Sequence, residues 1–142
     1  MHTVTLISTP GEREDAYAVR MRVFVEEQRV PAEMELDACD QTADHFLARV
    51  DGRPVGTGRL TVRDRVGVLG RLAVLPEARG AGLGAALVRA IEERVRERGL
   101  AAVELHAQTR AEGFYRRLGY EAHGEEEMEA GIPHVWMRKP LS

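Results

Sequence analysis

Apolar positions along the chain switch between two spacings, and each switch marks an element. Thr3 to Ile7 reads as a short strand. From Glu12 to Glu27 the spacing is helical: Ala16, Val19 and Val23 form one stripe, and Tyr17, Met21 and Phe24 an adjoining one. Pro10-Gly11 precede this helix, and Glu12, Glu14 and Asp15 occupy its first turn, where the helix dipole favours negative charge. Val30-Pro31 ends it. The stretch that follows, with Glu33, Glu35, Asp37 and Asp40, is predicted to be an irregular loop whose charges face solvent.

Three strands come next, His45–Val50, Val55–Val62 and Val66–Leu75, joined by connections too short for anything but antiparallel pairing. After Pro76 the period lengthens. Leu83, Leu87, Ile91 and Val95 recur at every fourth position of a helix predicted from Gly82 to Arg98, and Gly99 closes it. Ala101–Ala107 is then a strand reached by a βαβ crossover, which implies a parallel neighbour. A short helix from about Arg110 to Leu118 stops at Gly119, and strands are predicted near Tyr120–His123 and His134–Arg138. The expected fold class is α+β (α/β): a mixed, mostly antiparallel twisted sheet with helices on both faces.

Composition narrows the setting. A chain of 142 residues fits a single domain, 1–142, able to bury about two-thirds of its unfolded surface. The net charge of −3, with only three Tyr, three Phe and one Trp, argues against a nucleic-acid binder. Cys39 is the one cysteine, which excludes an intrachain disulfide and a cysteine-rich zinc site, and no metal is expected. The first residues are too few and too soon followed by charge to be a signal peptide. No apolar run reaches membrane length, so a cytoplasmic location without membrane contact is expected. Of the 20 basic residues 19 are Arg, Lys139 is the only Lys, and Asn is absent. Arg is suited to bidentate binding of phosphate or carboxylate, but 19 scattered positions read first as compositional bias, so each must be argued by place.

The densest signal is Leu72-Ala73-Val74-Leu75-Pro76-Glu77-Ala78-Arg79-Gly80-Ala81-Gly82-Leu83-Gly84, a glycine-rich turn between a strand and a long helix. Glycines let backbone approach an anion, free N–H groups at a helix start attract it, and Arg79 could add a charge-assisted contact. A P-loop would need Lys-Ser/Thr after Gly84, where Ala85 and Ala86 stand. Gly80, Gly82 and Ala85 match a dinucleotide pattern literally, but the loop follows three meander strands and too little chain remains for that fold.

Arg79, Gly82 and Gly84 in R-x-x-G-x-G resemble the acetyl-CoA loop of the GNAT N-acetyltransferase superfamily. The stretch Gln108-Thr109-Arg110-Ala111-Glu112-Gly113-Phe114-Tyr115-Arg116-Arg117-Leu118-Gly119-Tyr120 resembles the family's later N-x-x-A-x-x-F-Y-x-x-x-G-F motif, with Gln108 in place of Asn. The element order agrees over essentially the whole chain. Arg20–Gln28 and Ala130-Gly131-Ile132-Pro133-His134 further resemble the ElaA-like branch.

The resemblance implies an acetyl-CoA-dependent N-acyltransferase (EC 2.3.1.-) whose partners are a CoA thioester and an amine acceptor. It implies that Leu72, Ala73 and Val74 hold the pantetheine arm and polarise the thioester carbonyl. The amides of Arg79, Gly80, Ala81, Gly82, Leu83, Gly84 and Ala85 would take the pyrophosphate. Gln108, Phe114 and Arg117 would also serve cofactor binding, and Tyr115 would protonate the departing thiolate. The strand-borne Glu that often serves such enzymes as base has no counterpart among Val68–Val74, so His106, Glu27 and His134 are the candidate catalytic residues on the amine side. The acidic run Glu125–Glu129 is expected in a hairpin beside the acceptor, where it could select substrate charge. A homodimer paired through the sheets is consistent with the resemblance. A non-catalytic acyl-CoA-binding domain is the alternative.

Overall fold

A computed structural model describes residues 1–141. The elements run β1 (His2–Leu6), α1 (Pro10–Arg20), α2 (Ala32–Glu35), β2 (Asp44–Val50), β3 (Arg53–Arg63), β4 (Val66–Val74), α3 (Leu83–Glu97), β5 (Ala102–Gln108), α4 (Glu112–Arg117), β6 (Glu121–Glu129) and β7 (Ile132–Pro140). One seven-stranded sheet has the order β1-β2-β3-β4-β5-β7-β6. β4 and β5 pair in parallel, as the crossover through α3 requires, and every other pairing is antiparallel.

Local chemistry sets the helix limits. α1 begins two residues before Glu12 because Thr9 caps it, its Oγ1 accepting the Glu12 N–H at 3.2 Å, with Pro10 in the first turn. The expected single helix to Glu27 instead passes at Met21–Glu27 into a wider π-helical turn, in which the Gln28 N–H reaches the Val23 carbonyl. Arg29 then takes φ 64° and stops it.

The two sheet faces are distinct. Gly58 and Gly67 lie under α3, where a Cβ would stand 2.9 Å from Ile91 and 2.7 Å from Val95, so glycine lets the helix lie flush on the sheet. Leu60, Leu87, Ile91, Val95 and Val103 are fully buried in that layer. α4 joins it, since Gly84 and Phe114 touch across the two helices. α1 covers the opposite face of β2 and β3, where Thr57 and Arg59 point.

Two irregularities shape the sheet centre. β3 and β4 lose register between Thr57 and Arg59, and one extra β4 residue is accommodated with Arg71 at φ 52°. A side chain in this left-handed region costs about 1–2 kcal/mol, so its surroundings must compensate. Beyond the pair Leu69↔Leu105, β4 and β5 no longer hydrogen-bond, although β4 runs on to Val74 and β5 to Gln108. The strands part here, and a cleft opens through the sheet.

The final hairpin is longer than predicted: β6 continues from Glu121 through the acidic run to Glu129 and pairs with β7. Nearly all of β6 is solvent-exposed, so no apolar alternation announces it. Among the described residues no helix is long and apolar enough to cross a membrane.

Candidate active site

The cleft between the parted strands has a volume of about 820 Å³. Phe114 and Tyr115 line it from the α4 side. Gly70, Arg71 and Leu72 line it along β4, and His106 and Gln108 along β5. Glu27 and Gln28 close one end, and Glu129, His134 and Trp136 contribute from the hairpin.

At the start of α3 the backbone is open to an anion. Gly80 and Gly82 have φ of 88° and 82° with empty space where a Cβ would be, and Gly82 caps α3 without any side-chain hydrogen bond. The first backbone hydrogen bond of the helix runs from Ala86 N–H to Gly82 O. The N–H groups of Leu83, Gly84 and Ala85 therefore lack intrahelical acceptors. A Cβ on Gly84 would stand 3.2 Å from the Phe114 ring, so this position fixes how closely the loop meets α4. These features fit a pyrophosphate.

Arg79 is engaged. Its guanidinium donates to Glu27 at 2.8 and 2.7 Å and to the Val74 carbonyl at 3.0 Å. The Arg79 hydrogen bond holds the Glu27 carboxyl below the usual carboxylate range. A carboxylate held so is a poor proton acceptor, which weighs against Glu27 as base. Gln108 is also engaged, donating to Gln28 Oε1 at 2.7 Å and accepting from Arg110 Nε at 2.8 Å. The wide turn after α1 thus places Glu27 and Gln28 against the glycine loop and the end of β5. Arg117 lies exposed on α4.

Tyr115 is buried among Phe114 and Tyr120, with ring centroids 5.0 and 5.9 Å away. Burial pushes its phenol well above the ordinary tyrosine value, so it stays protonated until a base appears beside it.

His106, His134 and Trp136 form a row across β5 and β7, His106 lying 4.8 Å from His134 and 4.7 Å from Trp136 between ring centroids. His106 Nδ1 lies 3.2 Å from Glu129 Oε1, and a carboxylate can only accept there. The neutral ring then keeps its lone pair on Nε2, which is buried and has no hydrogen-bond partner. Glu127 Oε1 also lies 3.2 Å from that atom. In His134 the Nδ1–H donates to the Ile132 carbonyl at 2.7 Å.

The acidic stretch after α1 departs from its prediction as a solvated loop. α2 and a 3₁₀ turn over Ala38–Gln41 order it, and Glu35 and Asp40 are buried. Six charges close into a ring. Arg20 pairs with Glu35 (3.0 Å), Glu35 with Arg71 (3.3 Å), Arg71 with Asp37 (3.2 Å), Asp37 with Arg59 (2.8 Å), Arg59 with Asp40 (3.0 Å), and Asp40 with Arg20 (2.7 Å). Burial works against the Arg20 charge, but Asp40 and Glu35 more than offset this and raise its pKa. The Arg71 guanidinium also donates to the Glu35 carbonyl at 3.0 Å, which anchors the strained bulge. Arg59, Arg71, Glu35 and Asp37 all line the cleft. Their pairing was invisible in sequence, where nothing links Arg59 or Arg71 to acids more than 20 positions away.

Comparison with known proteins bears on the family and the fold. The model of the acetyltransferase (GNAT) domain matches residues 10–141. An uncharacterized N-acetyltransferase of Bacillus subtilis, YjcF, is 41% identical over 127 residues, covering 89% of this chain and 91% of that protein. An acyl-CoA N-acyltransferase structure from Pseudomonas aeruginosa superposes with a TM-score of 0.84 at 31% identity, covering 98% of both chains. Escherichia coli ElaA superposes with a TM-score of 0.86 at 25% identity, covering 98% of this chain and 99% of that one.

Proposed function

The chain belongs to the GNAT acetyltransferase family, and we propose that it moves an acetyl group from acetyl-CoA to an amine by direct attack within a ternary complex. The observation that carries this reading is the gap beyond Leu69↔Leu105. It leaves β4 backbone groups without β5 partners, is lined by both Tyr115 and His106, and reaches Arg79, which precedes the uncapped glycine turn. The similarity to an acyl-CoA N-acyltransferase supports the same thioester.

In this mechanism Gly80 to Ala85 hold the pyrophosphate through backbone N–H groups, with Arg79 turning from Glu27 to add its charge. The backbone of Leu72, Ala73 and Val74 binds the pantetheine arm as a strand would, and an N–H there stabilises the oxyanion of the tetrahedral intermediate. His106 is the base. Glu129 accepts its Nδ1–H and so presents Nε2 as the proton acceptor for the attacking amine. Trp136 stacks on His106, and His134 packs tilted against it, so the two steady the ring. As the intermediate collapses, the sulfur leaves as thiolate and Tyr115 supplies its proton.

An amine panel incubated with acetyl-CoA and read by free-thiol release tests the activity. His106→Gln should lower kcat by about 100-fold and abolish the ascending limb of the pH profile. An unaltered limb would reassign the base. The His106–Glu129 pairing favours catalysis over a binding-only role.

A further inference from the structure

Among the described residues Arg71 is the one non-glycine residue inside a strand with a positive φ, 52°. That conformation strains any residue with a Cβ, and glycine would adopt it freely. Backbone geometry alone would therefore favour glycine at this position, and what the guanidinium holds has to offset the strain. We propose that Arg71 is a positioning residue for acetyl transfer: by gripping the end of α2, it sets the direction in which the Leu72 N–H meets the thioester carbonyl. This deepens the acetyl-transfer reading and rests on it.

The grip is specific. Arg71 Nε donates to the Glu35 carbonyl at 3.0 Å, while Nη2 donates to the Met34 carbonyl at 3.4 Å and to Asp37 Oδ2 at 3.2 Å. Met34 and Glu35 end α2, where carbonyls find no donor within the helix. That end is itself held. Arg20, buried on α1, donates to the Glu35 carboxylate at 3.0 Å and to the Glu35 carbonyl at 2.9 Å. The side chain of Arg71 thus ties the β4 bulge through α2 to α1.

The direction follows from the strand. Leu75 N–H donates to the Val55 carbonyl at 2.8 Å, so the main chain at Leu75 faces β3. These groups alternate along a strand, so Val74 faces the other way, and its carbonyl accepts from Arg79 Nε at 3.0 Å. Two residues back, Leu72 turns its N–H to that same side, toward the gap where β5 no longer pairs. The bulge lies just there: Arg71 and Leu72 together stand opposite Gly58, between the pairs Arg59↔Gly70 and Thr57↔Ala73. The Arg71 carbonyl and the Leu72 N–H belong to one planar peptide and turn as one unit. Fixing Arg71 therefore fixes the Leu72 N–H, and a donor aimed in advance is what stabilises an oxyanion.

The test compares Arg71→Gly and Arg71→Lys with the unaltered full chain. The first readout is the infrared stretch of an isotope-labelled acetyl-CoA carbonyl, bound without amine. A donor aimed at the carbonyl oxygen lowers this frequency from its value in solution. Arg71→Gly, relieved of the strain, should lose about half or more of that lowering, and its kcat should fall about 10- to 100-fold while KM for acetyl-CoA changes less than about threefold. Arg71→Lys keeps the charge but cannot span both α2 carbonyls and Asp37, so its kcat should fall about three- to tenfold. An Arg71→Gly frequency equal to that of the unaltered protein, with thiol release continuing, overturns the inference and leaves acetyl transfer standing. If Arg71→Gly does not fold, an unchanged kcat in Arg71→Lys overturns it. Absence of thiol release from the unaltered protein across the amine panel overturns the acetyl-transfer reading, and the inference with it.

Discussion

Arg79 and Glu27 meet in a two-pronged ion pair, Nη1 to Oε2 at 2.8 Å and Nη2 to Oε1 at 2.7 Å, across the mouth of the cleft. Both were candidates for separate duties, one for phosphate and one for base chemistry. Each instead occupies the other until a stronger anion reaches Arg79.

Releasing Arg79 should therefore favour coenzyme. Glu27→Gln is expected to tighten CoA binding two- to fivefold and change kcat by less than about threefold. Arg79→Ala should weaken binding by about tenfold. The pair is about two-fifths exposed on each side, so neither variant should cost more than about 1 kcal/mol of stability. Titration calorimetry with CoA and urea melts check both, and a collapse of kcat in Glu27→Gln would restore that residue as base.

The ring should behave very differently from surface pairs. Arg20→Met leaves Glu35 and Asp40 buried with one partner each and should cost about 3–5 kcal/mol in urea unfolding. Arg22→Ala, which removes the exposed Arg22–Glu77 pair, should cost about 1 kcal/mol or less. Similar losses in the two variants would remove the ring as a determinant of stability.

Acid should destabilise the fold in two stages. Burial pushes the His45 imidazole below its ordinary value, and its Nε2 donates to the Asp40 carbonyl at 2.9 Å. Burial alone would raise the Asp40 carboxyl, but hydrogen bonds from Arg20 and the Asp37 N–H hold it far below the carboxylate range. Both folded values lie below the unfolded ones, so both contributions are complete at neutral pH and are lost on acidification. The His45 loss begins below about pH 6.5 and the Asp40 loss below about pH 4. Urea midpoints from pH 8 down to pH 3 should fall in that order, and His45→Gln should flatten the first stage. A midpoint constant between pH 7 and pH 5 in the unaltered chain would discount His45.

Tyr115→Phe tests proton return to sulfur. The hydroxyl has no hydrogen-bond partner among the described residues, so its removal should leave stability and CoA affinity within about 1 kcal/mol. The value of kcat should fall by about 100-fold. Turnover within threefold of the unaltered protein would assign the tyrosine to packing.

The sheet, crossover and glycine loop were legible because each is written locally. Leu83, Leu87, Ile91 and Val95 mark α3 by spacing alone, and two-to-four-residue connections dictate the meander. What escaped was long-range or unpatterned. Arg71 adopts φ 52° without the glycine that normally signals it. β6 exposes both faces and so has no apolar rhythm. The acidic stretch was expected in solvent because its partners, Arg20, Arg59 and Arg71, come from three other elements. At the site, Tyr115, Glu27, His134 and His106 stood as candidates in the sequence, but the Glu129 contact that orients His106 depends on hairpin register.

The single lysine acquires a meaning from its surroundings. Lys139 donates to the Leu118 carbonyl at 2.8 Å and to buried Glu92 at 3.2 and 3.3 Å, where Tyr120 also donates at 2.8 Å. These contacts to the Leu118 carbonyl and both Glu92 oxygens fix the nitrogen in place. An acyl thioester at the cleft would thus meet one side-chain amine, itself tied down by hydrogen bonds. Prolonged incubation with excess acetyl-CoA at mildly alkaline pH should leave Lys139 unmodified by peptide mass analysis, and Glu92→Gln should expose it to acylation. With nineteen arginines to one lysine, the side chains present a single amine that an acyl thioester could modify, and Glu92 and Leu118 hold it.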